Sequence, residues 1–109
     1  MSVHTALYNQ LLKAAKASKT LFYSEVAPTV GLDISDYSDR NKLASLLADI
    51  STHEYNNKRP LLSAIVITKD NNYPGNGFFE LATDLGVQTD HDNLKFFAKE
   101  CRNVFDYWQ

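Results

Sequence analysis

The chain contains one cysteine, four glycines and three prolines among its 109 residues. A single cysteine, Cys101, cannot form an internal disulfide, which favours a reducing compartment. The small glycine and proline content and a hydrophobic share of 44% exclude a disordered or low-complexity chain. The sequence lacks the roughly 20 consecutive apolar residues that span a bilayer, and it opens without a signal-peptide pattern. We therefore expect a single cytoplasmic domain over residues 1–109 with no membrane association.

An excess of positive charge is also absent. The 11 lysines and arginines are outnumbered by 13 aspartates and glutamates, which gives a net charge of -2. Dedicated nucleic-acid-binding domains usually carry a basic surface. The charge balance therefore argues against such a domain, although it leaves room for a local basic patch.

Catalytic and metal-binding patterns are missing as well. His4, His53 and His91 lie on three different predicted elements, and none has a neighbour at metal-ligand spacing. Cys101 falls on an apolar helical stripe, so we interpret it as a small hydrophobic residue. No serine lies in a nucleophile elbow. The sequence predicts no metal, no cofactor and no enzymatic activity.

The strongest signal that is present is the stretch Arg59–Thr68, which is apolar on both faces and β-branched towards its end. This pattern predicts a central strand that is buried on both sides. The short β-prone stretch Thr20–Tyr23 is the candidate to pair with it. A turn-rich loop follows, and its Pro-Gly and Asn-Gly pairs within Lys69–Gly77 predict an exposed tip.

Helical periodicity surrounds the predicted strand. The spacing of apolar residues predicts helices over Val3–Ser18, after a cap at Ser24, over Asp39–His53, over Phe78–Gly86, and from a cap at Thr89 or Asp90 almost to the end. In the last helix the predicted buried stripe includes Leu94 and Cys101. The aspartates before Asp39 predict helix caps, because their spacing lacks a calcium-loop pattern. We expect an α+β, mostly helical domain with one central strand and a small sheet.

Two stretches resemble known sequences. Thr20–Ala27, followed by Val30-Gly31-Leu32, resembles the T-Y-x-E-V-A…G segment of winged-helix domains, including the DNA-binding half of the alkylguanine-DNA alkyltransferase family. The resemblance implies a winged-helix-like fold, with Asp39–His53 as the recognition-type helix and the segment from Leu61 through Gly77 as the wing. The alkyltransferase activity does not carry over, because the Pro-Cys-His-Arg motif of that family is absent.

The second stretch joins Arg59–Ala64 to Pro74–Ala82. It resembles small, poorly characterised bacterial proteins with an R-P-L-L-S-A-V…P-G-x-G-F-F pattern. That pattern has no known catalytic role, so the resemblance implies a bacterial origin and little about function.

Three hypotheses about function remain open. The one we favour is a non-catalytic protein-binding module, such as a small regulator, antitoxin or immunity protein, acting as a monomer or homodimer. Its predicted partner contacts are the spare aromatic residues, because tyrosine is common among interface hot spots: Tyr55, Tyr73, Phe96 and Tyr107.

The two alternatives involve nucleic acid. A winged-helix nucleic-acid binder would use polar and basic residues at the helix and wing, namely Arg40, Lys42, Lys58, Arg59, Lys69 and Asn76. A small metal-dependent nuclease would use the carboxylates Asp70, Glu80 and Asp84, which bracket the loop after the strand.

Overall fold

The computed structural model describes residues 3–109. Its helices are α1 (Thr5–Lys16), α2 (Tyr23–Val26), α3 (Tyr37–Asn56), α4 (Asn76–Asp84) and α5 (Asn93–Trp108), and its strands are β1 (Leu21–Phe22) and β2 (Val66–Ile67). The 3-10 turns Ala27–Val30 and Leu62–Ile65 precede the α2–α3 loop and β2, respectively. The described chain is therefore mostly helical with a small sheet, as the sequence predicts.

The central segment Leu61–Ile67 is buried along its whole length. The sequence predicts this burial correctly, but the predicted strand over Arg59–Thr68 is wrong for most of its length. Leu62–Ile65 is a 3-10 turn, and only Val66 and Ile67 pair, in parallel, with Leu21 and Phe22. The predicted pairing with Thr20–Tyr23 is confirmed.

Helix packing explains why the central segment is not a longer strand. The turn Leu62–Ile65 contacts α1, α3 and α5, so side chains occupy the space where further strands would lie. Two backbone amides of the central segment bind side chains instead: Leu61 donates to Glu100 at 2.8 Å and Ser63 donates to Ser51 at 3.0 Å. Buried amides need a partner, and here helices supply it.

The helix boundaries confirm some predicted caps and correct others. Asp36 caps α3 by accepting the amide of Asp39 at 3.0 Å, as predicted. The cap of α5 is Asp92 rather than Thr89 or Asp90. Helix α2 begins at Tyr23, so the predicted cap at Ser24 is wrong.

Helix α4 begins earlier than predicted, within the segment that the sequence assigns to an exposed turn. Asn76 and Gly77 are the first two residues of α4, whereas the sequence predicts that they form an exposed turn before a helix at Phe78. A turn does precede the helix: the Asn72 amide donates to the Thr68 carbonyl, and Asn72 has a left-handed backbone with a φ of 53°.

The core confirms the apolar stripe of α5 at Cys101 and Val104, which are buried. The prediction for Leu94 is wrong, because its side chain is 65% exposed. Near that end of α5 the inward rings are Phe96 and Phe97. Phe96 packs against Phe78 and Phe79 with ring centroids 5.9 and 6.5 Å apart. Among residues 3–109, no helix combines the length and apolarity that a membrane span requires.

Candidate functional site

A groove of about 700 Å³ lies between α3 and α4. We call it the α3–α4 groove. Its lining comes from α2, from α3 and the loop before it, from the segment around β2, and from α4: Tyr23, Ser24, Ile34, Arg40, Leu43, Ala44, Ser45, Leu47, Ala48, Ser63, Thr68, Lys69, Asp70, Gly75, Gly77, Phe78 and Leu81. Its volume falls in the range of pockets that hold ligands or partner side chains.

One face of α3 forms the first wall. The lining residues Arg40, Leu43, Ala44, Leu47 and Ala48 recur at helical spacing, so they lie on one side of the helix. Leu43 and Leu47 are nearly fully buried and form the floor. Ala44 is exposed and Ala48 is half-buried. The short alanine side chains keep this wall low and leave the groove open.

The second wall is the first half of α4. Gly77, Phe78 and Leu81 line it, and the Phe78 ring is held edge-on against Phe79 at 5.3 Å between centroids. Phe78 also packs against Phe96 at 5.9 Å between ring centroids, so aromatic contacts support this apolar wall.

A phenol lies at the α2 side of the groove. The hydroxyl of Tyr23 accepts the backbone amide of Gly75 at 3.0 Å, and within residues 3–109 it donates no hydrogen bond. Burial raises the pKa of Tyr23, and the Gly75 amide offsets part of that rise. The phenol therefore keeps its proton at neutral pH and presents a hydrogen-bond donor to the groove.

A buried serine pair lies beneath the groove. The hydroxyl oxygens of Ser51 and Ser63 are 2.6 Å apart, and Ser51 also accepts the Ser63 amide. One hydroxyl hydrogen lies between the two oxygens, and the other finds no acceptor among the described residues. When Ser51 is the donor, the free hydrogen belongs to Ser63, which lines the groove.

Three charged residues belong to the exposed part of the groove: Arg40, Lys69 and Asp70. Arg40 lies 5.6 Å from the ring centroid of Tyr37, and the Lys69 ammonium lies 5.7 Å from that of Phe22. Within residues 3–109 neither cation is ion-paired with a carboxylate. The rim thus carries two unpaired cations and one anion.

A second polar cluster joins α3 to α1 and α5. The fully buried carboxylate of Glu54 accepts from Arg59 at 3.1 and 2.7 Å and from the Tyr8 hydroxyl at 3.0 Å. The guanidinium of Arg59 lies 5.8 Å from the Trp108 ring centroid. Hydrogen bonding to Glu54 raises the pKa of Arg59, and burial followed by the charge of Glu54 raises that of Tyr8. This closed arrangement stabilises the fold.

The structure separates the four predicted partner residues into two kinds. Tyr55 and Tyr107 are exposed, at 41% and 52% of their surface. Tyr73 packs on Phe79 and Phe97 at 5.1 and 5.5 Å between ring centroids, and Phe96 lies in the same aromatic cluster. Packing within the domain accounts for these two rings. None of the four lines the α3–α4 groove.

The six predicted nucleic-acid residues are also divided. Arg40 and Lys69 line the groove, whereas Lys42 and Lys58 are exposed outside it. Arg59 binds Glu54 inside the fold. Asn76 is the first residue of α4 and is exposed. The predicted nucleic-acid residues therefore do not all line one groove.

The candidate nuclease carboxylates Asp70, Glu80 and Asp84 are all exposed. Only Asp70 lines the groove. Among residues 3–109, no three His, Cys, Asp or Glu side chains come together as a metal site, so these three do not form one.

Sequence reasoning missed Ala44, Ala48 and Tyr37. Tyr37 is the most exposed large hydrophobic residue described, at 71%, and it lies beside Arg40. A sequence pattern that could have predicted the groove is the pair of alanines four residues apart, next to Leu43 and Leu47. Small residues on an apolar helix face leave space for a partner. Glu54 and Arg59 carry no periodic signal at all.

Comparison of the chain with known protein families, with curated proteins and with solved structures finds no match.

Proposed function

We propose that this chain is a non-catalytic protein-binding module, such as a small bacterial regulator, antitoxin or immunity protein. The α3–α4 groove is its docking site, and the partner contributes a short segment with apolar side chains. The observation that carries the proposal is the groove itself, with about 700 Å³ of space over a floor of Leu43 and Leu47 and beside the apolar wall that contains Phe78. Grooves of this kind receive amphipathic helices in many complexes.

The length of the groove along α3 favours a short partner segment. The lining residues of α3 run from Arg40 to Ala48, about 12 Å at the rise of an α-helix. About two turns of a partner helix would fill that length. Arg40 is the first α3 residue that lines the groove, and the exposed Tyr37 lies beside it. Tyrosine and arginine are frequent hot-spot residues.

The winged-helix alternative has less support. Helix α3 is long enough to serve as a recognition helix, but the segment that would be the wing forms a 3-10 turn and a two-residue parallel strand rather than a hairpin. Arg59, one of its phosphate contacts, is occupied by Glu54. For these reasons we propose a protein partner rather than nucleic acid.

Filling the groove tests the proposal. Ala44→Trp places a large ring in the groove from an exposed position on α3. Ala98→Trp is the matched control, because Ala98 is an exposed alanine on α5 that does not line the groove. Both tagged variants and the wild type are used to capture partners from native bacterial lysate treated with nuclease, with protein and nucleic acid quantified.

The proposal predicts a stoichiometric protein that co-purifies with the wild type and Ala98→Trp and is lost with Ala44→Trp, at unchanged far-UV circular dichroism. Equal recovery with both tryptophan variants would place the contact elsewhere. Recovery of nucleic acid alone, lost at moderate salt, would instead favour the winged-helix binder.

A further inference from the structure

We infer that the segment held in the α3–α4 groove is acidic as well as apolar: a partner helix or strand whose carboxylates face Arg40 and Lys69. The inference rests on the proposed function and adds the chemical class of the partner segment. It depends on the two cations at the groove rim and on lining hydroxyl groups that can donate a hydrogen into the groove.

The two cations provide the first step. Arg40 and Lys69 are exposed, line the groove and are not ion-paired within residues 3–109. Each lies over an aromatic ring, Tyr37 and Phe22 respectively. A ring face attracts a cation but carries no net negative charge, so both positive charges remain without a counter-charge from the ring. Asp70 is the one opposing charge, so the groove rim has a net charge of +1 on a chain whose overall charge is -2.

The hydroxyl groups provide the second step. The Tyr23 phenol accepts the Gly75 amide and has a hydrogen to donate. Ser63 is 5% exposed, and when Ser51 donates the bond between the two hydroxyls, Ser63 keeps its own hydrogen for the groove. Thr68 differs, because its hydroxyl already donates to Asn71. Donors facing an apolar floor favour an occupant that carries acceptors, either carboxylates or backbone carbonyls.

The start of α4 adds to this bias. Gly75 is the N-cap of α4 and, having no side chain, supplies no capping bond. Gly75 and Gly77 both line the groove. The first amides of a helix favour negative charge nearby, so the helix end reinforces the preference that Arg40 and Lys69 set.

A charge-reversal experiment tests the inference. A phage library of random 12-residue peptides is selected on the wild-type protein, and the selected peptides are synthesised with a fluorophore. Their affinities are measured by fluorescence anisotropy for the wild type, Ala44→Trp, Ala98→Trp and two double variants. Arg40→Glu with Lys69→Glu reverses the groove cations. Lys42→Glu with Lys58→Glu is the matched control, since it changes the net charge equally at exposed positions outside the groove.

We expect the selected peptides to combine Leu, Ile or Phe with Asp or Glu. Their affinity should fall about tenfold or more in Arg40→Glu/Lys69→Glu, because juxtaposed like charges are costly, and change little in the control. Ala44→Trp should abolish binding and Ala98→Trp should not. Should Ala44→Trp fail to fold, Ala48→Phe fills the same groove from the next turn of α3.

The remaining outcomes separate the two proposals. If Ala44→Trp abolishes peptide binding but both charge variants bind with equal affinity, the acidic preference is wrong and the docking groove is still supported. Peptides insensitive to Ala44→Trp, or none selected at all, would overturn both. If no peptide is selected but the probe dodecanoate binds in the groove, the groove is a site for a small amphiphile. If the protein forms a concentration-dependent dimer that Ala44→Trp abolishes, the groove binds a second copy of this chain. Dodecanoate binding or such a dimer would overturn the inference.

Discussion

The carboxylate of Glu54, which is fully buried, receives both a short and a longer hydrogen bond from the guanidinium of Arg59, five residues further along the chain. The pair joins the C-terminal end of α3 to the start of the central segment. Tyr8 of α1 and Trp108 of α5 complete the contact. One ion pair therefore fixes three helices around the same backbone segment.

Removing the arginine should expose the cost of this burial. Arg59→Ala leaves the Glu54 carboxylate buried without its charge partner, and such losses cost about 3–5 kcal/mol. Because Arg59 is partly exposed, we expect a loss at the lower end, about 3 kcal/mol. Urea unfolding followed by circular dichroism measures it. Lys58→Ala, at the neighbouring exposed cation, should stay within about 0.5 kcal/mol of wild type.

The double variant Arg59→Ala/Glu54→Gln should be more stable than Arg59→Ala alone, because the neutral amide removes the uncompensated charge. A single Arg59→Ala variant as stable as Lys58→Ala would show that the pair does not hold the helices. Arg59→Ala is accordingly a poor probe of nucleic-acid binding, since it perturbs the fold.

The buried serine pair gives a directional prediction. Ser51→Ala leaves both the amide and the hydroxyl of Ser63 without their partner, whereas Ser63→Ala leaves only the Ser51 hydroxyl short of one bond. An unsatisfied buried group costs about 1–3 kcal/mol, so Ser51→Ala should be the less stable variant by about that amount. Chemical denaturation of both variants decides the order, and the reverse order would contradict the hydrogen-bond assignment.

The thiol of Cys101 should respond to alkaline pH. Burial raises the pKa of Cys101 from an ordinary 9.0 to about 11. Between these two values the unfolded chain has lost the thiol proton and the folded chain retains it, so the free energy of unfolding falls as pH rises. The stability that the protonated Cys101 thiol contributes is therefore complete below pH 9.0 and lost above about pH 11.

Two measurements follow for this thiol. Alkylation of the native protein by iodoacetamide should reach half its maximal rate near pH 11, and the difference in stability between wild type and Cys101→Ala should shrink from pH 9 to 11. Taking the difference matters because Tyr8 and Tyr23 also have raised pKa values and contribute with the same sign. Alkylation at the rate of a free thiol at pH 8 would contradict the burial of Cys101.

The sequence predicts local features of this fold better than its site. The cap at Asp36, the helical stripes and the burial of Leu61–Ile67 follow from spacing and residue type. The 3-10 turn at Leu62–Ile65 does not, because the amides of Leu61 and Ser63 are satisfied by Glu100 and Ser51, side chains of two helices elsewhere in the chain. The groove is equally long-range, because its two walls, α3 and α4, are separated in the sequence by the central segment and the loop after it.

Photocrosslinking at Ala44 is the most direct test of the docking groove. Benzoylphenylalanine is introduced at Ala44, and in a separate variant at Ala98, and cells are irradiated before denaturing purification and mass spectrometry. The groove account predicts one dominant protein adduct at Ala44 that is absent at Ala98 and whose attached peptide contains apolar and acidic residues. No adduct at Ala44, or the same adducts at both positions, would contradict it.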